Sequence, residues 1–411
     1  MKTKFNKTCT IFTLIILLFS TIGFVYADEN ETENSLNLTA ESAILIDNKT
    51  NKVLYSKNED KKMYPASTTK ILTAILTIEN SNLDDVVTAS YDAAMSIPEG
   101  YSSANIQIGE ELTVEQLLEM LLVHSANDAA NVLAEYIGGS TDSFVSMMNT
   151  KLNELHLENT HFTNSFGMHD DSHYTTASDM AHLLQYCLNN DTFRKIAGSA
   201  SCAIPATNKS GKRLYSSTNE LLVSTNRNYY KYLMTGKTGY TSQAKECLVS
   251  SAYKDNLELI GIILGSSQRF ADTRNLYNYG YDNYLMKTII NENDVGSQIT
   301  VSNGTKETKD LDLLVEKSVS ALISKADENN EFNPEIILNE KISAPITEND
   351  VLGKIEYEVD GIKYSSNLIA SHNVEKSMTL TYAMYTVGVI IILLLAYKVF
   401  FGKKKVKVYK Y

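Results

Sequence analysis

Three short motifs stand in one order along the 411 residues of this chain: Ser67-Thr68-Thr69-Lys70, then Ser125-Ala126-Asn127, then Lys237-Thr238-Gly239. Their settings constrain the fold. Ser67 follows Met63-Tyr64-Pro65-Ala66 and opens a run in which Ile71, Leu72, Ile75, Leu76 and Ile78 recur at helical spacing. Ser125 lies between two apolar helical stretches, Val114 to Val123 and Ala129 to Tyr136. Lys237 precedes two strand-like stretches, Leu248 to Ala252 and Leu257 to Leu264. One motif opens a helix, one joins two helices, and one sits at a strand before a hairpin.

Each motif taken alone has an ordinary explanation. Serine is a favoured helix N-cap and a proline just upstream fits a helix start, although a capping box wants Glu or Gln where this chain has Lys70. Two other serines precede a lysine by three residues, Ser242 before Lys245 and Ser251 before Lys254, but no helical pattern opens after either. Ser125-Ala126-Asn127 reads as an interhelix turn with Asn127 as a cap, and Ser103-Ala104-Asn105 and Ser224-Thr225-Asn226 repeat its spacing. Lys237-Thr238-Gly239 occurs once and reads alone as a solvated turn.

The chemistry of the set is more specific. Residues three apart share a helix face, so Lys70 reaches the Ser67 hydroxyl. A helix N-terminus offers free N–H groups and a positive field to a developing oxyanion. Lysine is a base only when neutral, and desolvation together with a second cation pushes its pKa down; Lys237 is the candidate cation. A lysine and a threonine hydroxyl on a strand can hold a carboxylate, and Gly239 lets a substrate backbone approach. Together these are the parts of a serine acyl-transfer site with lysine in place of histidine, the constellation of penicillin-binding proteins and class A β-lactamases.

From about Ala40 to about Lys376 the chain resembles the serine D-alanyl-D-alanine carboxypeptidases, the low-molecular-mass penicillin-binding proteins of the peptidase S11 type. Beyond the three motifs, Ala43-Ile44-Leu45-Ile46-Asp47 with Val53-Leu54-Tyr55 resembles the family's opening hairpin. His173-Tyr174-Thr175-Thr176-Ala177-Ser178-Asp179-Met180-Ala181 resembles the segment after its helical region, and Ser343-Ala344-Pro345-Ile346 with Val351-Leu352-Gly353 its C-terminal β domain. The resemblance implies Ser67 as nucleophile, Lys70 as general base and Ser125 as proton relay. It implies Asn127, Lys237, Thr238 and Gly239 as the substrate-binding residues, Lys237 and Thr238 on the terminal carboxylate. The backbone N–H groups of Ser67 and Tyr240 form the implied oxyanion hole. The implied reaction removes the last D-alanine from peptidoglycan stem peptides ending in D-Ala-D-Ala through an acyl-enzyme, and β-lactams acylate the same serine. Two departures set the chain apart from the β-lactamases. Ala126 stands where they usually carry aspartate, and Glu154-Leu155-His156-Leu157-Glu158 fails their Glu-x-x-Leu-Asn pattern. Slow turnover of β-lactams is expected.

The ends speak for export and anchoring. Lys2, Lys4 and Lys7 precede the apolar run Ile11 to Val25, and Val25-Tyr26-Ala27 offers a cleavage site, so residues 1–27 read as a signal peptide, with an uncleaved anchor as the alternative. Cys9 does not stand at a lipidation position. Residues 380–401 form a second apolar run long enough to span a bilayer, followed by a lysine-rich tail over 402–411. Positive flanks stay cytoplasmic, which places the body of the chain outside the cell membrane on a single span. A buried core helix is the other reading of this run. Family members more often end in an amphipathic helix lying on the membrane, and this segment is too uniformly apolar for that.

The formal net charge is -12, and most lysines near the two ends are not part of the exposed body, so its surface repels nucleic acid. Cys187, Cys202 and Cys247 remain after the signal, an odd number without zinc-site spacing. Nothing calls for a metal or organic cofactor. His124 beside Ser125 is a rival base to Lys70, and His169 and His173 around Asp170 and Asp171 read as metal ligands or as a solvated loop.

The expected architecture is α+β. Residues 28–39 read as a flexible acidic linker and 40–290 as the catalytic domain, a β-lactamase/transpeptidase-like antiparallel sheet with helices on both sides whose topology is implied by the resemblance. Residues 291–376 read as a small β-rich domain, with hairpin signals at Asn303-Gly304 and Asp360-Gly361. It is followed by the transmembrane helix. Competing readings are a β-lactamase, an endopeptidase on cross-links, and a catalytically silent wall-binding scaffold.

Overall fold

The computed structural model describes residues 36–402. The expected signal peptide, most of the acidic linker and the lysine-rich tail lie outside these residues. The strands in chain order are β1 (Ser42–Asp47), β2 (Val53–Lys57), β3 (Val86–Thr88), β4 (Glu111–Thr113), β5 (Ser201–Ile204), β6 (Arg213–Ser216), β7 (Leu233–Thr241), β8 (Lys245–Lys254), β9 (Leu257–Ser266), β10 (Tyr284–Ile290), β11 (Val295–Thr300), β12 (Asp310–Val315), β13 (Val319–Ser324), β14 (Glu335–Leu338), β15 (Val351–Val359) and β16 (Ile362–Ala370). The helices are α1 (Lys70–Asn80), α2 (Tyr91–Met95), α3 (Val114–Leu122), α4 (Asn127–Gly138), α5 (Thr141–Glu154), α6 (Ala177–Leu188), α7 (Asp191–Ala197), α8 (Arg269–Asn283) and α9 (Thr379–Phe401).

The main sheet runs β2-β1-β9-β8-β7, each neighbouring pair antiparallel. The first strand of the chain thus pairs with a late one, Ile44 opposite Ile262. Side chains alternate across a strand, and both faces are apolar here. Ile44, Ile46, Ile260, Ile262 and Leu264 join the core made by the helices of the middle of the chain. The intervening Leu45, Leu259 and Gly261 face α8: a Cβ on Gly280 would lie 2.6 Å from Leu259 and 2.7 Å from Leu45, and one on Gly261 would lie 3.0 Å from the Tyr277 ring. Glycine at these two positions lets α8 lie close to the sheet. The buried Tyr277 hydroxyl accepts the Gly261 N–H and bonds Ser250, so its polar end is satisfied.

Helix α1 is the centre of the helical layer. Ile71, Leu72, Ala74, Ile75 and Leu76 are all buried, as are Thr73 and Thr77, so the helix is enclosed on nearly every side. It packs against α3, α4, α5, α6 and α7. Helix α3 starts with a full capping box, Thr113 and Gln116 satisfying each other's backbone N–H groups.

A second core lies in the C-terminal part, where the sheet β11-β12-β16-β15-β14 and the pair β10–β13 share Leu311, Leu313, Val315, Ala321, Ile355 and Leu368. Asp360 (φ 52°) and Gly361 (φ 76°) make the two-residue turn of the β15–β16 hairpin. Two details differ from the sequence reading. Tyr284–Ile290, placed with the catalytic domain, pairs with Val319–Ser324 of the C-terminal part. Leu38 and Thr39, placed in a flexible linker, are held: Leu38 is buried, and Thr39 donates its N–H and hydroxyl to Asp272.

Helix α9 is apolar all round, with the large side chains from Tyr382 to Phe401 exposed. A core helix is therefore not what this run forms. Twenty residues of helix, Tyr382–Phe401, span about 30 Å, the thickness of a bilayer's hydrocarbon.

Leu118 is fully buried in α3, among side chains packed around α1. Leu118→Ala is expected to cost about 2–5 kcal/mol, a transfer term plus an unfilled cavity. Guanidinium unfolding followed by circular dichroism measures it, since the chain has no tryptophan; a loss within ~0.5 kcal/mol would mean that this core collapses freely around the gap.

Candidate active site

Between β2 and α1 the chain makes a tight 3-10 turn, Ala66–Thr69, with Ala66 in the left-handed region at φ 48°. That conformation is unusual for a residue with a Cβ. The two threonines of Ser67-Thr68-Thr69-Lys70 satisfy the turn's carbonyls: Thr68 donates its hydroxyl and N–H to Pro65 O, and Thr69 donates its hydroxyl to Ala66 O at 2.9 Å. Ser67 makes no cap bond. The cap reading is therefore set aside, and the Ser67 hydroxyl, half-buried, is left to face Lys70.

Lys70 is fully buried at the first turn of α1. Its Nζ lies 2.9 Å from Ser67 Oγ, 2.6 Å from Asn127 Oδ1 and 2.9 Å from the carbonyl oxygen of Phe166. Burial first, and the charge of Lys237 second, push its pKa well below the ordinary lysine value, against a smaller opposing pull from Asp128. Both causes favour the neutral amine over the ammonium. A neutral amine has two N–H donors and one lone pair. Asn127 Oδ1 and Phe166 O can only accept, so they take both donors. In that form the lone pair faces the Ser67 hydroxyl, which would donate to it, whereas the ammonium donates to Ser67 Oγ. The neutral form has the protonation pattern a general base requires.

The turn between α3 and α4 carries Ser125, also left-handed at φ 66°. It is fixed by backbone bonds from Ala126 N to Met120 O and from Asn127 N to Ser102 O. The buried Asp128 carboxylate accepts from Ser103 Oγ and from the N–H groups of Ala104 and Ile106, tying the neighbouring loop to α4. Lys237, on β7, donates to Ser125 Oγ and to Thr238 O, both at 2.8 Å. Its pKa is pushed down to about 7 by burial and by the nearby Arg269. Thr238 Oγ1 lies 2.6 Å from Thr218 Oγ1. Thus all three motifs converge on one place, at the edge strand of the main sheet.

Gly239 packs against the first motif. A Cβ there would stand 2.8 Å from Pro65 O and 3.0 Å from Ser67 N, so the strand presses directly on the turn that carries Ser67. The Tyr240 side chain that follows is largely exposed.

Sequence reasoning missed three contributors. The Phe166 carbonyl comes from a turn organised by Asn164, whose Oδ1 accepts from the N–H groups of Phe166, Gly167 and Met168. An Asn followed three residues later by Gly was the available turn signal. Gly167 sits at φ 88°, and a Cβ there would lie 1.8 Å from Ala66 O, so only glycine fits. Arg269 of α8 donates to the Gly239 carbonyl at 2.6 Å. The third is His173, buried and bonded to Thr69.

Other candidates lie elsewhere. His124 stacks on Tyr215 with its Nε2 near Ser103 O. The Glu154 carboxylate pairs with Lys151. His169 lies 3.7 Å from Asp171, and among the described residues no group of three His, Cys, Asp or Glu is placed to hold a metal ion. Ser251 is buried against Thr235 on the sheet, and Ser242 bonds Gln243 in the β7–β8 turn.

The comparisons with known proteins agree with this geometry. A family model described as D-alanyl-D-alanine carboxypeptidase matches residues 28–268, and one described as the C-terminal domain of penicillin-binding protein 5 matches residues 284–376. The D-alanyl-D-alanine carboxypeptidase DacF of Bacillus subtilis (strain 168) is 32% identical over 91% of this chain and 96% of its own length. The crystal structure of penicillin binding protein 5 from Haemophilus influenzae aligns with a TM-score of 0.63 at 27% identity, over 83% of this chain and 99% of that one. A peptidoglycan synthesis regulatory factor (PBP3) from Streptococcus pneumoniae shares the fold, with a TM-score of 0.69 at 23% identity over 82% of this chain and 100% of that one. With three motifs converging on a buried lysine and both family models matched in order, the chain belongs to the serine-type D-alanyl-D-alanine carboxypeptidases of the low-molecular-mass penicillin-binding protein family.

Proposed function

We propose that Ser67 is the nucleophile, Lys70 its general base and Ser125 a proton relay, acting on peptidoglycan stem peptides that end in D-Ala-D-Ala. The observation that carries this reading is the setting of the buried Lys70 amine, 2.9 Å from Ser67 Oγ and otherwise bonded only to Asn127 Oδ1 and Phe166 O, which can only accept, so that a neutral amine points its lone pair at Ser67. Ser67 Oγ attacks the carbonyl of the penultimate D-alanine while its proton passes to Lys70. The oxyanion is held by the N–H groups of Ser67 and Tyr240. As the C–N bond breaks, the proton taken up by Lys70 passes by way of Ser125 to the amine of the departing D-alanine, which leaves Lys70 neutral again. Water, giving its proton to Lys70, then attacks the acyl carbonyl, and that proton returns to Ser67 Oγ as the ester bond breaks. The Lys237 ammonium and the Thr238 hydroxyl hold the terminal carboxylate, and Gly239 and the open edge of β7 accept the extended peptide. Asn127, expected to contact the peptide, also orients the base.

A β-lactam acylates the same serine. The Glu154 segment fails the β-lactamase Glu-x-x-Leu-Asn pattern and its carboxylate pairs with Lys151, which supports slow release of that adduct in place of β-lactamase turnover. Helix α9 serves as a single-pass anchor, with the following lysines on the cytoplasmic side and the catalytic part outside. The β-rich domain, from about 291 to 376, then spaces the site from the membrane.

The test is covalent labelling by a fluorescent penicillin together with release of D-alanine from a short D-Ala-D-Ala peptide. Wild type should do both, and Ser67→Ala neither. A wild-type protein that does neither would favour the silent scaffold.

Lys70→Arg keeps the charge and removes the base, because guanidinium does not deprotonate. Acylation should fall by roughly 10²–10⁴ with the fold retained; near-normal acylation would end the base assignment.

The third expectation concerns pH. The Lys237 pKa is about 7 in the free protein, and the ammonium form is the one that binds a carboxylate. kcat/KM for the peptide should therefore fall as pH rises above that value, by about tenfold per pH unit. kcat should hold, because a bound carboxylate keeps the proton on Lys237. A flat kcat/KM from about pH 7 to about pH 9 would remove Lys237 from carboxylate recognition.

A further inference from the structure

We propose that His173 and Thr69 are positioning residues that aim the Ser67 N–H into the oxyanion hole. The inference rests on the reading of Ser67 as the nucleophile. The Ala66–Ser67 peptide is planar and trans, so its C=O and N–H point in opposite directions. Whatever fixes the Ala66 carbonyl fixes the Ser67 N–H. Ala66 is left-handed at φ 48°, a conformation that L-residues leave unless they are held.

Two groups hold that carbonyl. The Gly167 backbone closes against it on one side, so near that a Cβ would sit 1.8 Å away. On the other side the Thr69 hydroxyl donates to Ala66 O at 2.9 Å. A helical threonine hydroxyl has a choice of backbone acceptors one turn back, here Pro65 O and Ala66 O. His173 favours one geometry. Its Nδ1 accepts the Thr163 N–H at 3.0 Å, with Thr163 Oγ1 and Asn164 Nδ2 each 3.3 Å away, so Nδ1 carries no proton. The ring proton is on Nε2 and is donated to Thr69 Oγ1 at 2.8 Å. With that lone pair occupied, the hydroxyl proton is directed to Ala66 O.

The ring itself cannot swing. It is buried, stacked on Phe162 at 4.8 Å with planes 15° apart, and both nitrogens are engaged. Burial holds it neutral, its pKa pushed down to about 3. The chain His173 Nε2–H to Thr69 O–H to Ala66 C=O thus runs from the end of the 163–173 segment into the peptide unit whose N–H faces the reacting carbonyl.

A buried histidine that merely packs would make no difference to chemistry in the folded protein. The full chain in detergent separates the two roles. kcat and KM for a D-Ala-D-Ala peptide, per site titrated with fluorescent penicillin, are measured for Thr69→Val and His173→Asn. The first removes the hydroxyl; the second keeps an acceptor near Nδ1 and removes the Nε2 donor. The affinity of a peptide boronic acid that forms a tetrahedral adduct on the serine is measured alongside. Expected is a fall of about tenfold or more in kcat, KM changed by less than about twofold, and boronate affinity falling in step with kcat. Thr69→Ser and His173→Gln, which retain the donors, should recover most of the loss. If Thr69→Val does not fold, His173→Asn decides alone. Thermal midpoints that fall while kcat and boronate affinity per titrated site stay at wild type would overturn the proposal. A wild type that is never acylated overturns the nucleophile reading and this inference with it; an acylated wild type with indifferent variants overturns only the inference.

Discussion

The Lys70 amine is enclosed at the start of the central helix, its three hydrogen-bond neighbours a hydroxyl, an amide oxygen and a backbone carbonyl. Burial disfavours an ammonium in such a place and pushes the group's pKa well below that of an ordinary lysine. Everything else in the site follows from keeping it there. Helix α1 must be surrounded on all sides so that water does not restore the charge. Asn127 must reach in from α4 and Phe166 from its loop, because an amine with unmet donors would turn its hydrogens toward Ser67. Lys237 must lie near enough for its charge to add to the effect of burial.

These demands are met with strained backbone. Ala66 and Ser125, two residues with side chains, and Gly167 all lie in the left-handed region, and all three lie in segments that meet around the lysine. For the two non-glycine residues that costs about 1–2 kcal/mol each. The apolar packing of α1 and the turn bonds made by Thr68 and Thr69 offset it. The strain has a geometric result: Ser67 is held free of the helix-cap bond that serine would otherwise form, and its hydroxyl is kept for Lys70. This is why a turn that looks like an ordinary helix start behaves as something else.

What could be read from the sequence divides along the same line. Residues related by local spacing were legible. The i, i+3 relation of Ser67 and Lys70, the interhelix place of Ser125, the strand place of Lys237, and the β15–β16 turn at Asp360-Gly361 all follow from periodicity and turn chemistry. The pairing of β1 with β9, more than two hundred residues apart, came only through family resemblance, since alternation says that a strand is buried and not which strand covers it. Phe166 is harder to find for another reason: Asn164 and Gly167 mark a turn, but its contribution is a carbonyl oxygen, which every residue has, so no residue type marks it as part of the site. Gly239 has a second, steric reason that the sequence did not show, because the atom that forbids a side chain there belongs to Pro65, far away in sequence. His173 sat in a loop whose polar composition suggested solvent, and the partner that makes it matter is a threonine inside the first motif.

The two buried lysines are not equivalent, and in the proposed scheme the difference is useful. Lys237 has two acceptors, Ser125 Oγ and Thr238 O, so in its charged form one N–H is left over. A substrate carboxylate takes that donor and compensates the charge. The repulsion that Lys237 exerts on Lys70 then falls, and the affinity of Lys70 for a proton rises. A stronger base is thus available once the correct terminus is bound, while in the empty site the same repulsion helps to keep Lys70 neutral and its lone pair free. Recognition of the peptide's end and activation of the serine are joined by one Coulomb interaction between two amines, with Ser125 beside Lys237 and Asn127 against Lys70. The short turn Ser125-Ala126-Asn127 fixes the distance between those two contacts, and with it the strength of the coupling.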